Sequence, residues 1–153
     1  MPKKSLEKDE VKVPDDVTQD KMQEKMVLYQ IIHQRLEELK QHITLIQQKM
    51  VELETIKQAL EDMKGVPDGK DILLPVGSGF FAPAKSVKTG KILVEIGAGV
   101  MVKKTVDEAK AFVERKKKEV EDASQHIQME FSQLAEKANE IAAEVQATTG
   151  HAE

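Results

Sequence analysis

Across residues 18–64 the apolar side chains keep heptad spacing, with Met22, Tyr29, Leu36, Ile43 and Met50 at one position and Ile32, Leu39, Ile46, Leu53 and Leu60 at the other. Two such rows form a coiled-coil seam, so the segment predicts one long helix. Gly65 suits a left-handed cap at its end, and Pro67 blocks continuation. A helix over 18–64 would run roughly 70 Å at about 1.5 Å per residue, and its single stripe needs a partner. That partner lies further along, where Val106, Val113, Val120, Ile127, Leu134 and Ile141 recur every seven residues beside a drifting row of Ala109, Ala123, Phe131, Ala138 and Val145. Thr105 and Glu108 have the spacing of a capping box, which starts the second helix at about 105 and carries it to 147.

Between the helices the period changes to two. Ile92, Val94 and Ile96 alternate with Lys91, Leu93 and Glu95 before the turn Gly97, Ala98, Gly99, and Val100 and Val102 alternate beyond it. This pattern predicts a β-hairpin whose inward face carries Ile92, Val94, Ile96, Val100 and Val102. A second hairpin precedes it, with Ile72, Leu74 and Val76 before the turn Gly77, Ser78, Gly79 and Phe80 after it. Pro75 and Pro83 confine its strands to edges or bulges. The expected fold is α+β: a long antiparallel α-helical coiled coil with two β-hairpins at one end. Its domains are a flexible tail at 1–17, the first helix at 18–64, the hairpins at 65–104, the second helix at 105–147 and a tail at 148–153. Four short strands leave unpaired edges, so the hairpins are expected to serve oligomerisation.

Composition narrows the function. Aromatic residues are only 3% and charged residues 33%, which suits helices with narrow cores. With Cys 0 there is no disulfide framework or thiolate chemistry, which fits a reducing compartment and a cytoplasmic location. No run of about 18 apolar residues suggests a membrane span. The net charge of −4 argues against a general nucleic-acid binder. Gly77, Gly79 and Ala82 satisfy G-x-G-x-x-A, but Phe80, Phe81 and Pro83 continue a strand where a dinucleotide site needs a helix N-terminus. The serines are scattered and the carboxylates lie on helix surfaces, so no enzyme, metal or cofactor is expected.

The stretches ILLPVGSGFFAPAK and KILVEIGAGVMVKKTVDEAKAF, set between two heptad helices, resemble the alpha-type subunits of prefoldin over residues 18–147. Beta-type subunits of that family carry one hairpin rather than two. The resemblance implies a hexamer of two alpha-type and four beta-type chains, with the hairpins joined in a β-barrel platform from which coiled-coil arms project. It also implies an ATP-independent chaperone that holds unfolded proteins and passes them to a ring-shaped chaperonin. Antiparallel helices bring Met22 and Met26 near Ile141 and Val145 at the arm tip. With Val27, these are the candidate client-binding residues, since methionine conforms to unlike partners. Met22, Ile141 and Val145 serve equally well as the last layers of the seam, whereas Met26 and Val27 lie off it.

Other features read as surface. His33 and Glu37 stand one helical turn apart without a third metal ligand, and the basic run at 115–118 is balanced by Glu114, Glu119 and Glu121. Two rival classes are a filament or scaffold subunit and an RNA-gripping helical arm, told apart by open-ended assembly and by salt-sensitive RNA retention.

Overall fold

The computed structural model describes residues 15–88 and 90–150. Along the chain it has α1 (Asp15–Lys64), β1 (Asp71–Gly77), β2 (Phe80–Lys85), β3 (Lys91–Gly97), β4 (Val100–Thr105) and α2 (Val106–Thr149). Both helices outrun their expected bounds. Helix α1 takes in residues 15–17, because a nucleated helix gains a backbone bond for each further residue that it orders. At the other end α2 reaches Thr149, where the Thr148 and Thr149 hydroxyls each donate to a carbonyl one turn back, Glu144 and Val145, at 2.9 Å. The rest of the expected tails, 1–14 and 151–153, lies outside the described residues.

The end of α1 differs from expectation in kind. Gly65 is not left-handed: its N–H bonds to the Asp62 carbonyl at 3.2 Å and Val66 to Met63 at 3.3 Å, so the last turn tightens instead. The positive φ falls four residues later, at Gly69 (73°). The start of α2 is a complete capping box. Glu108 N–H donates to Thr105 Oγ1 at 3.1 Å, and Thr105 N–H donates to Glu108 Oε2 at 2.9 Å.

Two compact units divide the chain, Met1–Gln41 with Gln128–Glu153, and His42–Ile127. In the first, Ile32, Leu36, Ala138 and Ile141 form a buried cluster flanked by Tyr29, Phe131, Leu134, Ala135 and Val145. Ion pairs Lys25–Glu144 (2.7 Å) and Arg35–Glu130 (2.9 Å) show the two helical segments running antiparallel. In the second unit Leu53, Leu60, Ala109 and Val113 are buried, with Ile92, Val94, Val106 and Val120 packed on them. Ala123, placed by its spacing in the seam, is exposed: the row has drifted off the interface there, as a 3.6-residue helix does against a seven-residue repeat.

The strands form two separate antiparallel pairs, β1 with β2 and β3 with β4. Leu74 faces Ala82 and Val94 faces Val102, and each ladder slips by one residue beside its turn, between Pro75 and Gly77 and between Glu95 and Gly97. The hairpins repeat at an interval of twenty residues, 71–85 onto 91–105, a duplication that reading the periods alone did not reveal. Both central residues of each turn have positive φ, Ser78 (43°) with Gly79 (84°) and Ala98 (50°) with Gly99 (74°), which matches the right-handed twist of the strands.

Leu39 is the most enclosed side chain, at 1% exposure. Leu39→Ala should cost about 2–5 kcal/mol in urea unfolding followed by helical circular dichroism, and Thr105→Ala about 1 kcal/mol through loss of the cap. Val27→Ala, at an exposed position, should shift the midpoint little.

Candidate functional site

Apolar surface that the fold leaves uncovered lies in two places. In the first unit, Val27 (55% exposed), Leu28 and Ile31 (59%) share one face of α1 with Asp20, Gln23 and Glu24, around a shallow depression. Spacings of three and four residues bring these side chains together, and none of them lies on the seam. Met26 is exposed beside them, while Met22 is half-buried.

The other two expected client-binding residues sit differently. Ile141 is 6% exposed within the buried cluster and Val145 is half-buried against it. Ile141 is therefore a seam residue, closed off by Ile32, Leu36 and Ala138. The cluster that holds both gathers Tyr29 rather than Met22 or Met26, since the antiparallel register sets Lys25 beside Glu144. Leu28 and Ile31 escaped the sequence reading, although apolar residues off both heptad rows were the signal that could have found them.

The second place is the hairpins. Ile72, Leu74, Val76 and Phe80 are all exposed, and so are Leu73 and Phe81. Strand side chains alternate, so β1–β2 presents apolar groups on both faces. On β3–β4 the expected inward face behaves differently along its length. Ile96 and Val100, near the turn, are exposed, and Val102 is half-buried, but Ile92 and Val94 pack on the chain's own helical cluster. Part of the face expected to meet other subunits is thus occupied by Leu53, Leu60, Ala109 and Val113, which lie within reach at the base of the hairpin. Beside them the strand and helices enclose a groove of about 610 Å³ lined by Ile56, Leu60, Phe112 and residues 92–97.

Charge fixes the helix register in this unit. Lys64–Asp107, Glu61–Lys110, Lys57–Glu114 and Glu54–Lys117 form four interhelical ion pairs, the three with Lys64, Lys57 and Lys117 at 2.7 Å. Each step along α1 is matched by an equal step back along α2. The hydrogen bond from Lys117 holds the Glu54 carboxyl below its usual range, and that from Lys57 does the same for Glu114. The Lys117 ammonium is raised in turn by Glu54. The basic run is therefore not a uniform solvated face: Lys117 crosses to α1, Lys116 pairs with Glu119, and Arg115 and Lys116 stand 5.8 and 5.7 Å from the Phe112 ring centre.

Elsewhere the chemistry is sparse. His33 stacks on Tyr29 at 5.7 Å and Glu37 pairs with Lys40 at 2.6 Å. Among the described residues no three His, Asp or Glu side chains are grouped to hold a metal, and no helix is long and apolar enough to cross a membrane. Past Gly79 comes strand β2, so the glycine fingerprint is a hairpin turn and has no helix N-terminus for a phosphate.

Seam-paired helices with a pair of apolar hairpins define an α+β coiled-coil chain that leaves apolar surface uncovered. Residues 32–151 match the family model of the prefoldin subunits. The chain is 30% identical to the prefoldin subunit alpha of Pyrococcus horikoshii, over 77% of its own length and 80% of the relative's, and 31% identical to that of Thermofilum pendens, over 74% and 88%. Its fold is similar to a chain of filamentous prefoldin from Methanocaldococcus jannaschii (TM-score 0.69, 22% identity, 76% of this chain and 97% of that one). It is also similar to the prefoldin beta subunit from Thermococcus strain KS-1 (TM-score 0.55, 20% identity, 84% and 91%). The chain belongs to the prefoldin family, a family of molecular chaperones.

The ion pairs make stability depend on pH. Glu54 and Glu114 have lowered folded values, so their contribution is present above the usual 4.5 and is lost as pH falls through the folded values beneath it. Lys117 has a raised one, so its contribution is present below 10.5 and is lost only as pH rises through its higher folded value. Lys117→Met keeps the apolar stem but frees Glu54. The fall in thermal midpoint below pH 4.5 should become shallower than in the parent. An unchanged acid slope would show that the pair does not link folding to protons.

Proposed function

We propose that the chain is the alpha-type subunit of a prefoldin chaperone, joining beta-type subunits through its hairpins and holding unfolded proteins on the exposed face of α1. Alpha-subunit relatives at about 30% identity over most of the chain support the class. The observation that carries the binding residues is the exposed group Val27, Leu28 and Ile31 with Met26, apolar groups with no seam to fill. An unfolded chain displays apolar segments, and burying them against such a group is favourable by about 25 cal/mol per Å² without any directional chemistry. Met26, flexible and unbranched, lets such a group conform to unlike clients. Met22 and Val145 are half-buried, and Ile141 lies within the seam cluster.

The assembly we infer is a cytoplasmic hexamer of two alpha-type and four beta-type chains, with Ile72, Leu74, Val76, Phe80, Ile96, Val100 and Val102 contributing to the joined barrel. Ile92 and Val94 anchor one hairpin to its own helices. Release of the client to a chaperonin requires no nucleotide on this subunit. A filament subunit is the second reading, because one solved neighbour is described as filamentous. At 22% identity that neighbour speaks for the fold alone, and the relatives at about 30% identity carry the name of the alpha subunit.

Replacing Met26, Val27, Leu28 and Ile31 together by Ser should leave the assembled mass unchanged in sedimentation. Suppression of light scattering from a chemically unfolded test protein should fall severalfold. Full suppression by an intact assembly of this variant would move client holding elsewhere.

A further inference from the structure

The uncovered apolar face of α1 carries charge of one sign. Asp20 and Glu24 line the same depression as Val27, Leu28 and Ile31, with Gln23 as the other polar member. At 3.6 residues per turn, positions 20, 24, 27 and 31 fall within about 60° of one another round the helix axis. The cations of this stretch are turned elsewhere. Lys25 pairs with Glu144 at 2.7 Å, Arg35 with Glu130 at 2.9 Å and Glu38 at 3.1 Å, and Lys40 with Glu37 at 2.6 Å. Lys21 stands about 100° round the helix from Asp20. Among the described residues, neither Asp20 nor Glu24 enters an ion pair.

The surroundings have the same sign. Residues 15–41 and 128–150, in the first unit, hold ten carboxylates and five lysines or arginines, whereas the hairpin segment 65–104 holds six lysines and three carboxylates. The two uncovered apolar surfaces of the chain therefore differ in the charge that borders them. A segment of unfolded protein that buries apolar side chains against Val27, Leu28 and Ile31 brings its next residues up to Glu24 and Asp20. A carboxylate arriving there is repelled. Lysine or arginine is attracted, and its long stem covers apolar surface while its head reaches a carboxylate. Spacing follows from the helix: Asp20 to Ile31 is about 16 Å along the axis, which an extended segment spans in about five residues.

Building on the assignment of this face to client holding, we propose that it selects a particular class of segment. Its preferred clients are extended stretches of about five residues that set lysine or arginine beside bulky apolar side chains, the cations meeting Asp20 and Glu24. Apolar burial supplies the hold, and the acidic border supplies the choice between segments of equal apolar content.

The test uses the full-length chain and three labelled, unstructured peptides of equal length, followed by fluorescence anisotropy. Each peptide carries the same block of leucine and valine beside a block of lysine, glutamine or glutamate. In dilute salt the lysine peptide should bind about three- to tenfold tighter than the glutamine peptide, and the glutamate peptide should bind weakest. In about 1 M salt, where screening acts within about 3 Å, the three should converge. Asp20→Asn with Glu24→Gln should remove most of the lysine peptide's advantage. Glu136→Gln with Glu140→Gln makes the same change of net charge at exposed positions of α2 and should leave that advantage standing. Equal binding of the three peptides to the parent overturns the proposal. So does an advantage that the Asp20 and Glu24 variant keeps, or one that both charge variants lose alike, since net charge alone would then be read. Val27→Ser with Leu28→Ser and Ile31→Ser, all at exposed positions, separates this selection from client holding itself. If it abolishes glutamine-peptide binding and the parent shows no preference, the face holds clients and only the selection fails. If the glutamine peptide binds this variant as it binds the parent, or binds neither, client holding on this face falls and the selection falls with it.

Discussion

Burial of one narrow apolar stripe on each helix is the interaction on which the rest of this protein depends. The buried residues on those stripes are few: Ile32, Leu36, Leu39, Leu53 and Leu60 from α1, and Ala109, Val113, Ala138 and Ile141 from α2. The small alanines let the backbones approach where the leucines of the other helix fill the space between. Even the β3–β4 hairpin leans on this seam. Ile92 and Val94 dock on its cluster in the second unit, which gives β3–β4 a footing that a lone two-stranded ribbon lacks.

A seam of leucine and alanine is adhesive but tolerant of slippage. Register comes from the charges beside it. The pairs from Glu54–Lys117 to Lys64–Asp107 descend one helix as they climb the other, so a slip by one turn would break every pair and set like charges together. Exposed pairs add little stability singly. Their value is in making one alignment better than its neighbours.

What the seam does not use is where function can reside. The side chains of Val27, Leu28 and Ile31, and most of those on β1–β2, contribute nothing to the chain's own core. Apolar surface of this kind is costly to leave in water, and on the proposed function it is kept for the partners and clients that would cover it. The two turns share that character: Ser78 and Ala98 hold a left-handed backbone that side chains adopt at a cost, in return for hairpins tight enough to present their faces.

Much of this was legible in the residues themselves. Heptad rows such as Val106 to Ile141, the change to period two at 92–96, the paired glycine turns and the Thr105–Glu108 box are local patterns, and each element follows from spacing that only a helix or a strand can satisfy. The family followed from the same stretches. Spacing says which face a residue is on, not how far that face reaches or what lies across from it. Ile141 kept the same heptad rhythm whether it was to face a client or Ile32, and only the antiparallel alignment enclosed it. Ala123 kept the rhythm and was left in solvent by helix drift. Gly65 had the right neighbours for a left-handed cap, but the tightened last turn took its N–H first. Ile92 and Val94 alternate as barrel residues would, yet the helix cluster stands close enough to claim them.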